Sequence, residues 1–175
     1  NDPQSALCNV DGALLALAAA SPQQTISVLD QLLPWLEHEE WWLRESATIA
    51  LTPAMKNEKA MEKILPVLTK AIGENIHARG RSTMMYKMER ATADASPKIK
   101  DMVADAYVQM YQIMPSVPDP EPGVDYSGIT SFALEGILTN ATKTGEPDVI
   151  LETAKLSKKR LDEMRTREVV GQLNA

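Results

Sequence analysis

The pentapeptide LLPWL at residues 32–36 recurs as ILPVL at residues 64–68. Downstream of each copy lies an octapeptide, RESATIAL at residues 44–51 and RSTMMYKM at residues 81–88, with Arg first and a large apolar residue last. The two offsets are 32 and 37 residues, so about five residues are inserted in the second turn. A repeat of this period is typical of helical hairpins that stack on one another.

Apolar residues recur at helical spacing, and no stretch alternates in the manner of a strand. The segment Ser21-Pro22-Gln23-Gln24 predicts a helix start, with Ser21 as the cap and Gln24 three residues later. Further helices are predicted from about 43, from near Asn57 to Gly73, over 76–93 and from Ser96. The predicted buried stripes are Ile26, Leu29, Leu32, Leu33 and Leu36; Leu43, Ala47, Ala50, Leu51 and Ala54; Met61, Ile64, Leu65, Leu68 and Ile72; Met84, Met85, Met88 and Ala91; and Ile99, Met102, Val103, Ala106, Tyr107, Met110 and Met114.

A proline-rich segment interrupts this pattern at residues 115–123, where four prolines in nine residues forbid a continuous helix. Beyond it, Asp125 predicts the start of another helix, which Thr144-Gly145 ends, and Pro147-Asp148 predicts a last helix running towards Leu173. We expect residues 1–175 to form a single helical repeat domain with an insert at 115–123, and to be part of a larger protein.

Charge and composition narrow the classes of partner. The net charge is −6, and residues 101–154 carry nine acidic side chains against one basic. An acidic chain repels phosphate backbones, so we expect no nucleic-acid partner. The longest apolar run, 13–20, is too short to span a bilayer, so we expect no membrane association. The single cysteine, Cys8, is expected to be a small buried apolar residue.

These features resemble the HEAT-repeat family of armadillo-like α-α superhelices. The resemblance implies an all-α, right-handed α-α solenoid of about three to four antiparallel helix pairs, with Pro34 and Pro66 in the first helix of each pair. In that family a turn carboxylate and an Arg early in the second helix interact across stacked repeats. The resemblance therefore implies a structural brace of Arg44, Arg81 and Glu40 (or Glu39). Armadillo-like or unrelated α-α packing stays open, as does an Arg44 that is simply exposed.

The sequence contains no pattern that predicts catalysis, a metal site or a cofactor. His38 and His77 lack the spacing of metal ligands, and no glycine-rich phosphate loop is present. We therefore predict a non-enzymatic scaffold with a protein partner, no cofactor and no metal. The residues expected to contact the partner are Trp41, Trp42, Arg79 and Arg90.

An enzymatic alternative depends on a second resemblance. Trp41-Trp42-Leu43-Arg44 is similar to the helix start of HEAT-like alkylpurine DNA glycosylases, which hold a damaged nucleotide in a basic groove with aromatic residues and a carboxylate. Glu39 or Glu40 would supply that carboxylate here. This sequence lacks an Asp after the double Trp, and its acidic balance disfavours DNA.

Overall fold

The structure, a computed structural model, describes residues 3–75, 78–113 and several positions between 145 and 159. Within residues 3–113 it contains the helices α1 (Pro3–Ala16), α2 (Pro22–Ser27), α3 (Leu29–Leu32), α4 (Trp41–Leu51), α5 (Glu58–Gly73), α6 (Ala78–Thr92) and α7 (Pro97–Ile113). Short 3-10 segments follow α1, α3 and α4 at Leu17–Ala19, Leu33–Glu37 and Thr52–Ala54. The described residues are helical without any strand, so the predicted all-α class is confirmed.

Several of the predicted helix starts are confirmed by side-chain caps. The Ser21 hydroxyl accepts from the Gln24 N–H, and the Gln24 side chain accepts from the Ser21 N–H at 2.8 Å, which forms a capping box. The Asn57 side chain accepts from the Ala60 N–H at 3.0 Å at the start of α5. These caps satisfy N–H groups that a helix cannot satisfy internally.

The segment before α4 differs from the prediction of one continuous helix. It divides into α2, α3 and the 3-10 segment, with Val28 between the first two. Pro34 has no N–H to continue the α-helical ladder, so the chain tightens into 3-10 geometry there. Pro66, by contrast, lies inside the continuous helix α5, with its side chain exposed to solvent. A missing hydrogen bond on a helix's solvent side is tolerated as a bend.

The buried core follows the predicted stripes closely. In α4 and its 3-10 extension, α5, α6 and α7, the predicted inner faces are buried except at Ala91 and Met102, which are half-buried, and at Met114, which lies outside the described residues. Methionines at 84, 85, 88 and 110 are core residues, as their spacing indicated. The core comprises Leu14, Leu29, Leu32, Leu36, Leu43, Ala47, Ala50, Leu51, Ala54, Met55, Ala60, Met61, Ile64, Leu65, Leu68, Ala71, Ile72, Met84, Met85, Met88, Ile99, Val103, Ala106, Tyr107 and Met110.

The helices contact one another in two series. In the first, the 3-10 segment 33–37 packs on α5, and α5 packs on α7. In the second, α1 packs on α4, and α4 packs on α6. Gly73 permits the closest approach in the first series, because a Cβ there would lie 2.8 Å from the Ile113 Cβ. Gly73 was predicted only as a helix end, and the structure adds this packing role.

Exposed ion pairs between successive helices flank the first series of contacts. Lys63 Nζ lies 2.9 Å from Asp30 Oδ1, and Lys70 Nζ lies 3.1 Å from Glu37 Oε1. Lys98 of α7 pairs in the same way with α5, since its Nζ lies 2.9 Å from Glu62 Oε1. Such pairs contribute at most about 1 kcal/mol each, so they report the register of the helices more than they stabilise it.

The remaining predicted segments lie largely outside the described residues. Residues 115–123, the helix from Asp125 and most of the last helix cannot be compared with the prediction. Pro147 and Asp148 are helical, as predicted, and Gly145 has a φ of 71°. Within the described part of the chain, no helix is long and apolar enough to cross a membrane.

The register of the first series can be tested by cross-linking in a Cys8→Ser background. We expect a short bis-maleimide to join Asp30→Cys to Lys63→Cys, and Glu37→Cys to Lys70→Cys, because these side chains face each other. The mismatched pair Asp30→Cys with Lys70→Cys should not react, since seven helical residues displace it by about 10 Å. Mass spectrometry of tryptic digests distinguishes the products, and equal yields from all three pairs would contradict the register.

Candidate functional site

The most unusual polar residue of the structure is Arg81, in the first turn of α6. The residue is 2% exposed, and its buried Nη1 has no hydrogen-bond partner among the described residues. Burial lowers the pKa of the Arg81 guanidinium from its usual value, because the charged form loses its hydration. A buried guanidinium normally has a carboxylate or another hydrogen-bond acceptor beside it, so Arg81 is a candidate functional residue.

Arg44 lies at the matching position of α4 and is half-buried. Its Nη2 donates to the Asn75 Oδ1 at 3.3 Å, while its buried Nε has no hydrogen-bond partner in the part of the chain that the structure describes. Burial lowers the pKa of the Arg44 guanidinium, and the negative charge of Glu74 opposes that shift. Arg44 therefore connects α4 to the turn between α5 and α6.

Asn75 is the fully buried amide at the centre of this region. Its Oδ1 accepts from Arg44, and its Nδ2 donates to the Met84 Sδ at 3.7 Å. Gly80 allows α6 to approach, because a Cβ there would lie 2.9 Å from Asn75 Nδ2 and 3.1 Å from Trp41 Cε3. We call the group Trp41, Arg44, Asn75, Gly80 and Arg81 the Asn75 junction.

Glu40 does not take the position expected of it in the brace. Its Oε2 accepts from the Trp42 indole N–H at 3.0 Å, and its backbone N–H donates to His38 Nδ1 at 3.1 Å. The Trp35 ring stacks on His38 with centroids 5.6 Å apart. These contacts order the turn before α4 locally, while Arg44 uses as its acceptor the Asn75 amide, which follows α5.

The residues expected to contact a partner are only partly brought together. Trp41 and Trp42 are half-buried at the start of α4, with Trp41 against Gly80. Arg90 is exposed on α6, where its Nη1 donates to the hydroxyl of Tyr86 at 3.3 Å. Tyr86 is 53% exposed, so these two side chains form a polar and aromatic surface, the Tyr86–Arg90 pair. The side chain of Arg79 lies outside the described residues.

Cys8 is exposed on α1, so the expectation that it is buried was wrong. The α1 helix packs on α4 through one side, with Leu14 as its core residue, and Cys8 falls on another side. Across the described residues, no group of three His, Cys, Asp or Glu side chains is placed to hold a metal ion.

Sequence reasoning missed Asn75 and misjudged Gly80. Gly80 lies inside the helix predicted over 76–93, where a glycine indicates close approach of another element. Asn75 follows the end of α5 by two residues, and nothing in its neighbours distinguishes it from an exposed turn amide. Its importance depends on contacts with residues 31 positions earlier and 9 positions later.

Comparison of the chain with models of known protein families, with curated proteins and with solved structures finds no significant match.

Removing the Arg44 side chain should destabilise the protein. We expect Arg44→Ala to cost about 1–3 kcal/mol, because it removes a hydrogen bond to a buried amide. A carboxylate acceptor would have made the cost larger, since a buried charge would then be left behind. Thermal unfolding should show a midpoint lower by at least about 2 °C. Arg90→Ala is the control, because Arg90 is exposed and should change the midpoint little; equal effects of the two variants would contradict the role of Arg44.

Adding one methyl group at Gly80 should also disrupt the junction. We expect Gly80→Ala to cost about 1–3 kcal/mol, because the new Cβ meets Asn75 and Trp41 in a packed interior. The matched control is Gly12→Ala in α1, where a Cβ meets no atom within 4 Å. That control should be neutral or stabilising by roughly 0.5–1 kcal/mol, since alanine is the better helix former. Chemical denaturation measures both, and a Gly80→Ala variant as stable as Gly12→Ala would be incompatible with close packing there.

Proposed function

We propose that this chain is a solenoid of HEAT-like helix pairs that acts as a non-enzymatic scaffold for a protein partner. In this proposal the 22–37 segment pairs with α4, and α5 pairs with α6. The next pair begins with α7. Each pair buries its apolar faces against its neighbours, which is how repeat proteins build a continuous core.

The proposal depends on one comparison, between the repeat offset in the sequence and the number of residues that separate the partners of the ion pairs. The sequence repeat has an offset of 32 residues at its first helix. Two of the ion pairs across the first series of contacts, Asp30–Lys63 and Glu37–Lys70, join residues 33 apart, and Glu62–Lys98 joins residues 36 apart. These separations lie within a few residues of the repeat offset, which supports the stacking of successive repeats in this proposal.

The Asn75 junction supports the same proposal from the second series of contacts. Arg44 and Arg81 occupy equivalent positions of the repeat, on α4 and α6, which pack on each other. Arg44 donates to an amide that belongs to the following pair. A polar contact between neighbouring pairs fixes their rotation, because hydrogen bonds are directional whereas apolar contacts are not.

The Tyr86–Arg90 pair is the surface that we assign to the partner. Tyr and Arg are enriched at the centres of protein interfaces, where they combine apolar area with hydrogen bonding. Here the Arg90 guanidinium already holds the Tyr86 hydroxyl, so less side-chain entropy remains to be lost on binding.

The scaffold function is tested by comparing proteins captured from cell extract with three baits. We expect the parent and Lys59→Glu, an exposed charge reversal on α5, to capture a common protein. A double variant, Tyr86→Ala with Arg90→Glu, should lose that protein without a change in melting temperature. Capture profiles that do not differ among the three baits would count against the assigned surface.

A fluorescence titration separates the scaffold from a DNA-binding enzyme. Trp35, Trp41 and Trp42 are the only tryptophans of the chain and lie close together in sequence, so a nucleic acid bound near them should alter the emission. We expect duplex DNA at low salt to leave the emission unchanged. Saturable quenching that weakens with added salt would instead favour the glycosylase-like interpretation.

A further inference from the structure

Arg81 combines deep burial with an unsatisfied hydrogen-bond donor. The residue is 2% exposed, and no described residue accepts a hydrogen bond from its Nη1. Desolvation is the only cause that shifts its pKa, and no carboxylate of the described residues opposes it. An unpaired charge in this position is strongly unfavourable, and an anion that enters would relieve the cost.

The surroundings of Arg81 strengthen this conclusion. Arg44, at the equivalent position of α4, has a buried Nε without a hydrogen-bond partner among the described residues. Arg44 is hydrogen-bonded to Asn75, and Asn75 lies against Gly80, the residue before Arg81. Arg81 also lies in the first turn of the 15-residue helix α6, where backbone N–H groups favour negative charge. Three features of this region therefore favour an anion beside Arg81.

The charges present indicate the class of anion. The negative charge of Glu74 acts on Arg44, whereas no carboxylate of the described residues acts on Arg81, which carries a single positive charge. A carboxylate carries one negative charge and matches the planar fork of a guanidinium with two parallel hydrogen bonds. A phosphate carries more than one negative charge near neutral pH and would overcompensate in a water-poor site.

We propose that Arg81, assisted by Arg44 and the first turn of α6, binds a single carboxylate group supplied as a ligand. The carboxylate belongs either to a small molecule or to an acidic side chain of a protein segment, and only the second source rests on the proposed scaffold function. Because the guanidinium is buried, the group enters the α4–α6 seam, where low polarity strengthens its pairing with Arg81.

The test compares the parent with Arg81→Met and Arg90→Met, which remove one charge each from the buried and the exposed side of α6. Melting is measured in sodium chloride, sodium acetate and sodium phosphate at equal ionic strength. In chloride we expect Arg81→Met to melt at the parent's temperature or above, because an unpaired buried charge has been removed. On going from chloride to acetate, the melting temperature of the parent and of Arg90→Met should rise by about 2 °C or more beyond the change seen for Arg81→Met, and we call this difference the selective effect. The selective effect of phosphate should be smaller.

Poly-L-glutamate distinguishes the two sources of the carboxylate. Saturable binding to the parent and to Arg90→Met, lost in Arg81→Met and at least tenfold weaker in Arg81→Lys, assigns the site to an acidic protein segment. A selective effect of acetate without poly-L-glutamate binding assigns it to a small carboxylate. The second result would support the carboxylate site but would not connect it with the scaffold function. The capture experiment tests the scaffold function separately.

Three results would overturn the proposal. A fall of more than about 4 °C for Arg81→Met in chloride, or its failure to fold, would show that the charge is already paired within the chain. The absence of any selective effect of acetate and poly-L-glutamate would show that no carboxylate enters. An equal or larger selective effect of phosphate would show that the anion class is wrong.

Discussion

The hydrogen bond from Arg44 to the buried Asn75 amide is the polar contact around which the described helices are arranged. Asn75 lies in the turn that joins α5 to α6, so this bond fixes the turn relative to α4. Gly80 follows from the same constraint, because any larger residue would displace the amide. Apolar stripes decide which faces are buried, but they permit sliding, whereas a buried amide accepts only a narrow range of geometries.

Burying two guanidinium groups costs stability, and a structural role accounts for only one of them. Arg44 has an acceptor and a nearby negative charge at Glu74. Arg81 is more deeply buried and has neither among the described residues. In our proposals the two equivalent positions of the sequence repeat therefore differ in function: Arg44 holds neighbouring helices together, and Arg81 binds an anion.

The surface charges have a different part in the structure. Lys63, Lys70 and Lys98 each bridge to the preceding helix of the first series, and all are well exposed to solvent. Exposed pairs add little energy, yet a misaligned packing of these helices would separate the lysines from their carboxylates. They therefore disfavour wrong registers more than they stabilise the right one.

The sequence by itself determined the helical class, the caps at Ser21 and Asn57, and most of the buried stripes, because these depend on residues within one or two turns. Tertiary structure decided the rest. It placed Arg44 on Asn75 instead of Glu40, exposed Cys8, and made Gly73 and Gly80 points of close approach. Local spacing shows which side of a helix is apolar. The acceptor that a long side chain reaches, and the atoms that a missing Cβ leaves room for, depend on residues more than thirty positions away.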